Sequence, residues 1–298
     1  METGLDLLLR RRRDRPEQLF DRQHRRGRPA AGYTRRGARE RLRPGPARPV
    51  GGVATAAREA YTAIASTQDR ALDLARGGAE EGTRVVAQRQ SAGRGRLDHA
   101  WISPTGGLYL SVVLRAPPSP LLPLAIGAYL LGSYRERYGL PVALKWPNDL
   151  FVIAPGRPGR KLGGILVDRV ASPTLGNAAV AGIGVNVHLD TASLPAELTG
   201  RVAALEEFVQ PIPSISSLEQ EAAEIAVEAA RSLRTTSGAA SALRAARTLL
   251  YGIGRRGSVD REIRGTIVGL ADDGALLIDR GAERVSIRAG DLRVEDDR

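Results

Sequence analysis

At 298 residues, with 44 Lys+Arg against 33 Asp+Glu, the chain is long enough for one large domain or two smaller ones, and it carries a net charge of +11. Residues 1–50 hold fifteen arginines and supply +9 of that charge, so the remainder offers no electrostatic case for a nucleic-acid partner. Cysteine is absent, which excludes disulfides and thiolate chemistry and fits a reducing, cytoplasmic setting; His24, His99 and His188 lack metal-ligand spacing, and no apolar run reaches the ~18 residues of a membrane span.

Residues 1–52 are rich in Arg, Pro and Gly and poor in periodic apolar positions, a composition expected to be disordered. The pattern predicts a short strand over Tyr61–Ala65. Ser66-Thr67-Gln68-Asp69 then reads as a helix start, with a hydroxyl cap, an acidic residue in the first turn and Gly77-Gly78 as the stop. Capping alone accounts for Ser66 and Thr67. Arg84–Gln88 is a strand, and it runs into Gln90-Ser91-Ala92-Gly93-Arg94-Gly95-Arg96. The glycines there permit close backbone approach to a ligand, and the arginines are permanent cations suited to carboxylate and phosphate oxygens. The loop reads either as a cover for a small anion or as an exposed basic turn.

Gly107–Leu114 is a second strand and Pro120–Tyr138 an apolar helix of the core. Val142–Lys145 is a strand leading into Lys145-Trp146-Pro147-Asn148-Asp149, followed by a short extended piece at Phe151–Ile153 and a turn-rich loop at Pro155–Gly159. Arg160-Lys161-Leu162-Gly163-Gly164-Ile165-Leu166-Val167-Asp168 enters another strand. Asn177–Val187 is a buried strand in which Gly182 and Gly184 allow close packing or close approach of a ligand. Helices follow at Leu218–Leu233 and Ala239–Leu250. After Gly252 the strands shorten to Ile263–Leu270, Ala275–Asp279 and Arg284–Ile287, a small β-barrel of residues 253–298. The literal GxGxxG at Gly252, Gly254 and Gly257 follows a helix and precedes a strand, the wrong setting for a dinucleotide, and reads as a linker.

The ordered blocks Ser66-Thr67-Gln68, Gln90 to Arg96, Lys145 to Asp149, Arg160 to Leu166, and Gly182-Ile183-Gly184-Val185-Asn186 resemble the biotin–protein ligases over about residues 60–190, and the C-terminal barrel is similar to theirs. The resemblance implies an α/β catalytic domain (residues 53–252) of the kind related to class II tRNA synthetases, with a mixed sheet and a C-terminal SH3-like barrel. It implies ATP and biotin as substrates with Mg²⁺, a biotinyl-5′-AMP intermediate, and a biotin carboxyl-carrier protein as acceptor. By that similarity Ser66, Thr67, Gln68 and Gln90 bind biotin's ring system; Arg94, Gly95 and Arg96 hold the carboxylate and then the adenylate phosphate; Lys161 sits at their junction. Lys145, Asn148, Asn186 and Trp101 fall to the nucleotide, although Trp101 also reads as an ordinary core aromatic. Arg96, Lys145, Lys161 and Asp149 are the candidate catalytic residues. Asp149 stays open among a turn residue, a Mg²⁺ ligand and a group that orients and deprotonates the acceptor amine. The expected assembly is a monomer or homodimer without specific DNA binding or membrane attachment. The rivals are a lipoate or octanoate ligase or transferase, and a bifunctional ligase with a nucleic-acid-binding tail. This chain departs from the family pattern at Gln68, where Asn is common, and at Leu97-Asp98-His99-Ala100, where the family is usually basic and glycine-containing.

Overall fold

The computed structural model describes residues 56–295 apart from 98, 118, 155 and 191–193. The arginine-rich segment expected to be disordered and Asp98 of the loop lie outside the described residues.

One sheet organises most of the described chain. Its seven strands are β1 (Arg58–Tyr61), β2 (Arg84–Ala87), β3 (Leu108–Arg115), β4 (Val142–Lys145), β5 (Asp149–Ala154), β6 (Arg157–Ser172) and β7 (Gly176–Val185), in the spatial order β1-β2-β3-β7-β6-β5-β4. β1 lies parallel to β2 and the other neighbours are antiparallel, so the sheet is mixed, as expected.

Helix α1 (Thr67–Arg76) covers one face, burying Ala71, Leu72 and Ala75 with Val85, Val113 and Val180. The opposite face, carrying Val86, Val112 and Ile183, packs under α2 (Leu121–Tyr138), α3 (Ile215–Ser232) and α4 (Thr236–Leu249). The alternation Val85/Val86 and Val112/Val113 is the two-residue period of strands coated on both sides. α2 is apolar nearly all round because it lies inside, between the sheet and α3 and α4. Among the described residues no helix is long and apolar enough to cross a membrane.

The first strand sits at Arg58–Tyr61, three residues before the expected span. Its charged side chains suit an edge: Arg58 pairs with Glu219 of α3 at 2.7 Å and Glu59 with Arg70 of α1 at 2.7 Å. Ile64 keeps only a single bridge to Gln90. The turn-rich loop expected over Pro155–Gly159 gives way at Arg157 to strand β6. Pro158 is accommodated because β7 joins β6 only from Gly163 onward, so no neighbour on that side needs the missing N–H.

A second, antiparallel sheet holds β8 (Arg256–Val259), β9 (Ile263–Leu270), β10 (Leu276–Asp279), β11 (Arg284–Ile287) and β12 (Leu292–Val294), in the order β11-β10-β9-β8-β12. β8 and β12 lie beyond the three strands read from sequence. The GxGxxG residues shape this unit: Gly252 and Gly254 take left-handed backbone conformations (φ +82° and +78°), and a side chain at Gly257 would meet the Arg293 carbonyl at 2.8 Å. The two sheets are tied through the Trp146 indole N–H, which donates to the Gly274 carbonyl at 3.1 Å.

Candidate functional site

The cleft opens on the α1 side of the large sheet, at the ends of β3, β5, β6 and β7. Its ring of polar groups begins at the N-terminus of α1. Ser66 is buried and caps the helix, its Oγ accepting from the Asp69 N–H at 3.3 Å. Thr67 donates its backbone N–H to Gln90 Oε1 at 2.8 Å, and its hydroxyl lies 3.0 Å from Ser111 Oγ on β3. Gln68 donates Nε2 to the Val180 carbonyl at 3.0 Å and to Asp168 Oδ2 at 3.2 Å, and accepts from Ser111 Oγ at 3.0 Å. The extra methylene of Gln68 thus carries its amide across to β6 and β7. Gly182 makes room for it: a Cβ there would stand 2.7 Å from Gln68 Oε1. Gln90 donates Nε2 to Ser103 Oγ at 2.9 Å. The result is a buried, hydrogen-bonded slot of hydroxyls and amides, suited to a small polar ring.

The Gly-Arg loop folds as a compact hairpin over this slot. Gly95 N–H donates to the His99 carbonyl at 2.7 Å and Trp101 N–H to the Gly93 carbonyl at 2.8 Å. Gly93 and Gly95 admit those close approaches, since a Cβ would meet the Trp101 carbonyl oxygen at 2.3 Å and the His99 carbonyl oxygen at 2.9 Å. Arg94 turns outward to Asp69 at 2.8 Å and Asp168 at 3.1 Å. Arg96 donates to Asn148 Oδ1 at 3.2 Å and to the Gly290 carbonyl of the small sheet at 3.4 Å. Asn148 is itself fixed by donating Nδ2 to the Ile165 carbonyl at 2.9 Å.

At the other end of the slot, Lys161 Nζ pairs with Asp149 Oδ1 at 2.7 Å and stands 5.2 Å over the Trp101 ring. A change of register brings Lys161 there. Leu150 pairs with Gly163 but Phe151 pairs with Lys161, so Leu162 is an extra residue in β6. That bulge reverses the strand's alternation and puts Lys161 on the cleft side with Gly164 and Leu166. Trp101 fills the space above Gly184, where a Cβ would stand 2.7 to 2.9 Å from the indole ring. The indole N–H is buried without a partner.

Three of the expected residues do not line this cleft: Ser66 lies behind it as the cap of α1, and Lys145 and Asn186 stand apart. Lys145, at the end of β4, lies 5.2 Å over the Phe151 ring and faces an adjoining groove with Arg201, Arg264 and Arg293. Asn186 spends its amide on the Lys161 and Ala203 carbonyls, at 3.4 and 3.0 Å, and so braces the backbone behind Lys161. Asp149 and Lys161 line both spaces and join them. Ser103, Ser111, Asp168 and the Gly290-Asp291 turn also belong to the site, and sequence reading gave none of them a role. Of these, only Asp168 was signalled in the sequence, by the alternation through Gly164, Leu166 and Asp168.

The cleft combines a neutral, hydrogen-bonding floor with cations at one end, an arrangement that holds a polar ring while its acidic tail meets a second anion. With its mixed sheet covered by helices and its small C-terminal antiparallel sheet, the chain is of the mixed α/β class. Residues 61–186 match the biotin/lipoate A/B protein ligase family and residues 256–292 match the biotin protein ligase C-terminal domain. A biotin–[acetyl-CoA-carboxylase] ligase of Mycobacterium tuberculosis is 30% identical over 241 residues, covering 76% of this chain and 85% of that protein. The chain belongs to the biotin/lipoate A/B protein ligase family. The bifunctional ligase/repressor BirA of Bacillus subtilis is 34% identical over 152 residues, 49% of this chain; the match spans 45% of that longer relative. Among solved structures, a biotin protein ligase from Aquifex aeolicus in complex with biotin and ATP superposes with a TM-score of 0.67 at 26% identity, covering 80% of this chain and 99% of that one.

Proposed function

We propose that this chain joins biotin to a lysine of the biotin carrier domain of a carboxylase, at the expense of ATP. In the first step a biotin carboxylate oxygen bonds to the α-phosphorus of ATP, and pyrophosphate leaves with the electrons of the broken P–O bond. In the second, the acceptor amine attacks the carbonyl carbon of biotinyl-5′-AMP and AMP departs.

The observation that carries this reading is the position of Lys161 at the cationic end of the neutral slot, beside Asp149 and across from Arg96. Two anions must approach one another there, and a cation between them lowers the barrier as charge gathers at the forming bond. Arg96, held by Asn148, is the second such cation. A bound anion would draw Lys161 from Asp149 and release that carboxylate toward the acceptor. A free lysine amine has a pKa of about 10.4, so it must give up a proton before attack, and Asp149 is the carboxylate next to that point. Lys145, in the adjoining groove with Arg201, Arg264 and Arg293, offers charge to the departing pyrophosphate.

Among the described residues no group of three or more His, Cys, Asp or Glu side chains gathers to hold a metal. That donor set fits a Mg²⁺ carried largely on phosphate oxygens, with Asp149 as the protein carboxylate nearest the reacting end. Such an ion would add neutralising charge. A cytoplasmic setting accords with the absence of cysteine. We take residues 253–298 as a separate C-terminal domain, the assembly as a monomer or homodimer, and DNA binding as no part of this activity.

The test is incubation with ATP, Mg²⁺ and a carrier domain, supplying biotin, lipoate or octanoate in separate arms, with a streptavidin blot and the intact carrier mass as readouts. Loading of biotin alone supports the reading. Loading of lipoate or octanoate in preference to biotin would replace it with the acyl-ligase rival from the same family.

A further inference from the structure

Arg94 is committed to protein carboxylates. Its Nη1 lies 2.8 Å from Asp69 Oδ1 on α1 and 3.1 Å from Asp168 Oδ2 on β6. The same Asp168 oxygen accepts from Gln68 Nε2 at 3.2 Å. Gln68 is almost wholly buried, and its other contacts, to Val180 and Ser111, fix it in the floor of the slot. One carboxylate oxygen thus receives the amide that shapes the floor and the guanidinium that anchors the covering loop. With two carboxylates against it, Arg94 has little charge left for an incoming anion, and the cationic work falls to Arg96 and Lys161.

We propose that Asp168 is a positioning residue that fastens the Gly93–Trp101 loop, through Arg94, to the Gln68 amide, so that one carboxylate sets both loop closure and the shape of the slot. This rests on the ligase reading for its consequence, a retained adenylate, but the fastening itself is measurable without substrate.

Hydrogen exchange on the full chain separates the two. Asp168→Asn keeps an oxygen acceptor for Gln68 and withdraws the charge from Arg94; Asp168→Ala removes both. The amides of Gly95 and Trp101 should exchange about threefold faster in Asp168→Asn, the scale of a partly exposed ion pair, and about tenfold faster in Asp168→Ala, which also loses the amide contact. Asp168→Glu restores a carboxylate and should return slow exchange. Asp73→Asn, which breaks only the Arg76 pair on the outside of α1, should match wild type. With biotin and ATP, Asp168→Asn should lose biotinyl-AMP faster while the KM for biotin stays within about twofold, whereas Asp168→Ala should raise that KM as well. Unchanged loop exchange in both variants would overturn the proposal, as would an equal acceleration throughout β3 and β7, which would make Asp168 a plain support of the sheet. A wild-type chain that activates no biotin would defeat the ligase reading alone, and the loop exchange would still decide this one.

Discussion

Gly184→Ala should unseat Trp101. The added methyl would stand 2.7 Å from Trp101 Cε2, 2.8 Å from Cζ2 and 2.9 Å from Nε1, where ordinary carbon contacts begin near 3.4 Å. Gly184 sits in regular β7 with no left-handed backbone, so the clash is steric and not conformational. If the ring stays and the strand yields, overpacking costs about 1–3 kcal/mol. If the ring leaves, it gives up the Lys161 contact, about 0.5–1 kcal/mol, and about half of the indole's buried area, about 2–3 kcal/mol at 25 cal/mol per Å². The two ranges overlap at about 2.5–3 kcal/mol, a loss of roughly a hundredfold in any rate that needs the closed loop. The chain has two tryptophans, and Trp146 is buried with its N–H held by Gly274, so a change in emission reports on Trp101. The variant should show red-shifted emission and slower biotinyl-AMP formation. A double-mutant cycle isolates the cause: once Trp101→Ala has removed the ring, Gly184→Ala should add almost nothing. Additive losses, or an unchanged spectrum in the single variant, would refute the reasoning.

Lys161→Ala should slow adenylation by about 10²–10³ while biotin binding falls far less, because charge is greatest as the bond forms; equal activity would make Lys161 a mere solvated partner of Asp149. Arg96→Gly removes the tie to Asn148 and Gly290 and should release biotinyl-AMP early, seen as biotin labelling of a bystander protein that has no carrier domain. No rise in labelling while adenylate still forms would argue against the loop as a cover. Stability should fall in acid. Burial pushes the Glu219 carboxyl up, but hydrogen bonds from Arg58 and Arg84 outweigh it and hold the group below its ordinary 4.5, while Arg70 and Tyr61 hold Glu59 down at about 2. Carboxyls depressed in the folded state stabilise it above their unfolded value and lose that contribution as pH falls through the folded one. The melting temperature should therefore drop as pH is lowered from about 5 toward 2, less steeply in Glu219→Gln; identical slopes would show that the Glu219 cluster contributes nothing.

Motifs that act through backbone and local spacing were legible in the sequence. The helix start at Ser66, the glycines beside the arginines, and the strands around Val113 and Val180 all follow local rules of capping, turn chemistry and alternation. What stayed hidden depends on distant partners. Ser111 has meaning only because β3 runs past α1, Asp168 only because Gln68 and Arg94 reach it from distant segments, and Lys161 only because a bulge at Leu162 turns it to the cleft side. By setting Lys161 on the sheet face of Lys145, Asp149 and Phe151, the same bulge brings both lysines to the adjoining groove, and only Lys161 lines the cleft as well. β12 escaped because it has three residues, and β8 because Arg256-Gly257-Ser258-Val259 carries little apolar pattern.

The Trp146 tie to Gly274 has a practical consequence for anyone exchanging parts between relatives. The acceptor is a main-chain carbonyl, so it survives almost any change of side chain around the turn. Gly274 itself is different: its backbone is left-handed (φ +84°), and a Cβ there would press on Leu121 of α2 at 2.6 Å. A transplanted C-terminal sheet would therefore need that glycine in addition to the apolar residues, such as Leu270 and Leu276, that share one core with α2 and α4. One that lacked it would pull on Trp146, and through the adjoining residues on Asn148 and Asp149, so a graft failure would register as altered chemistry before it registered as unfolding.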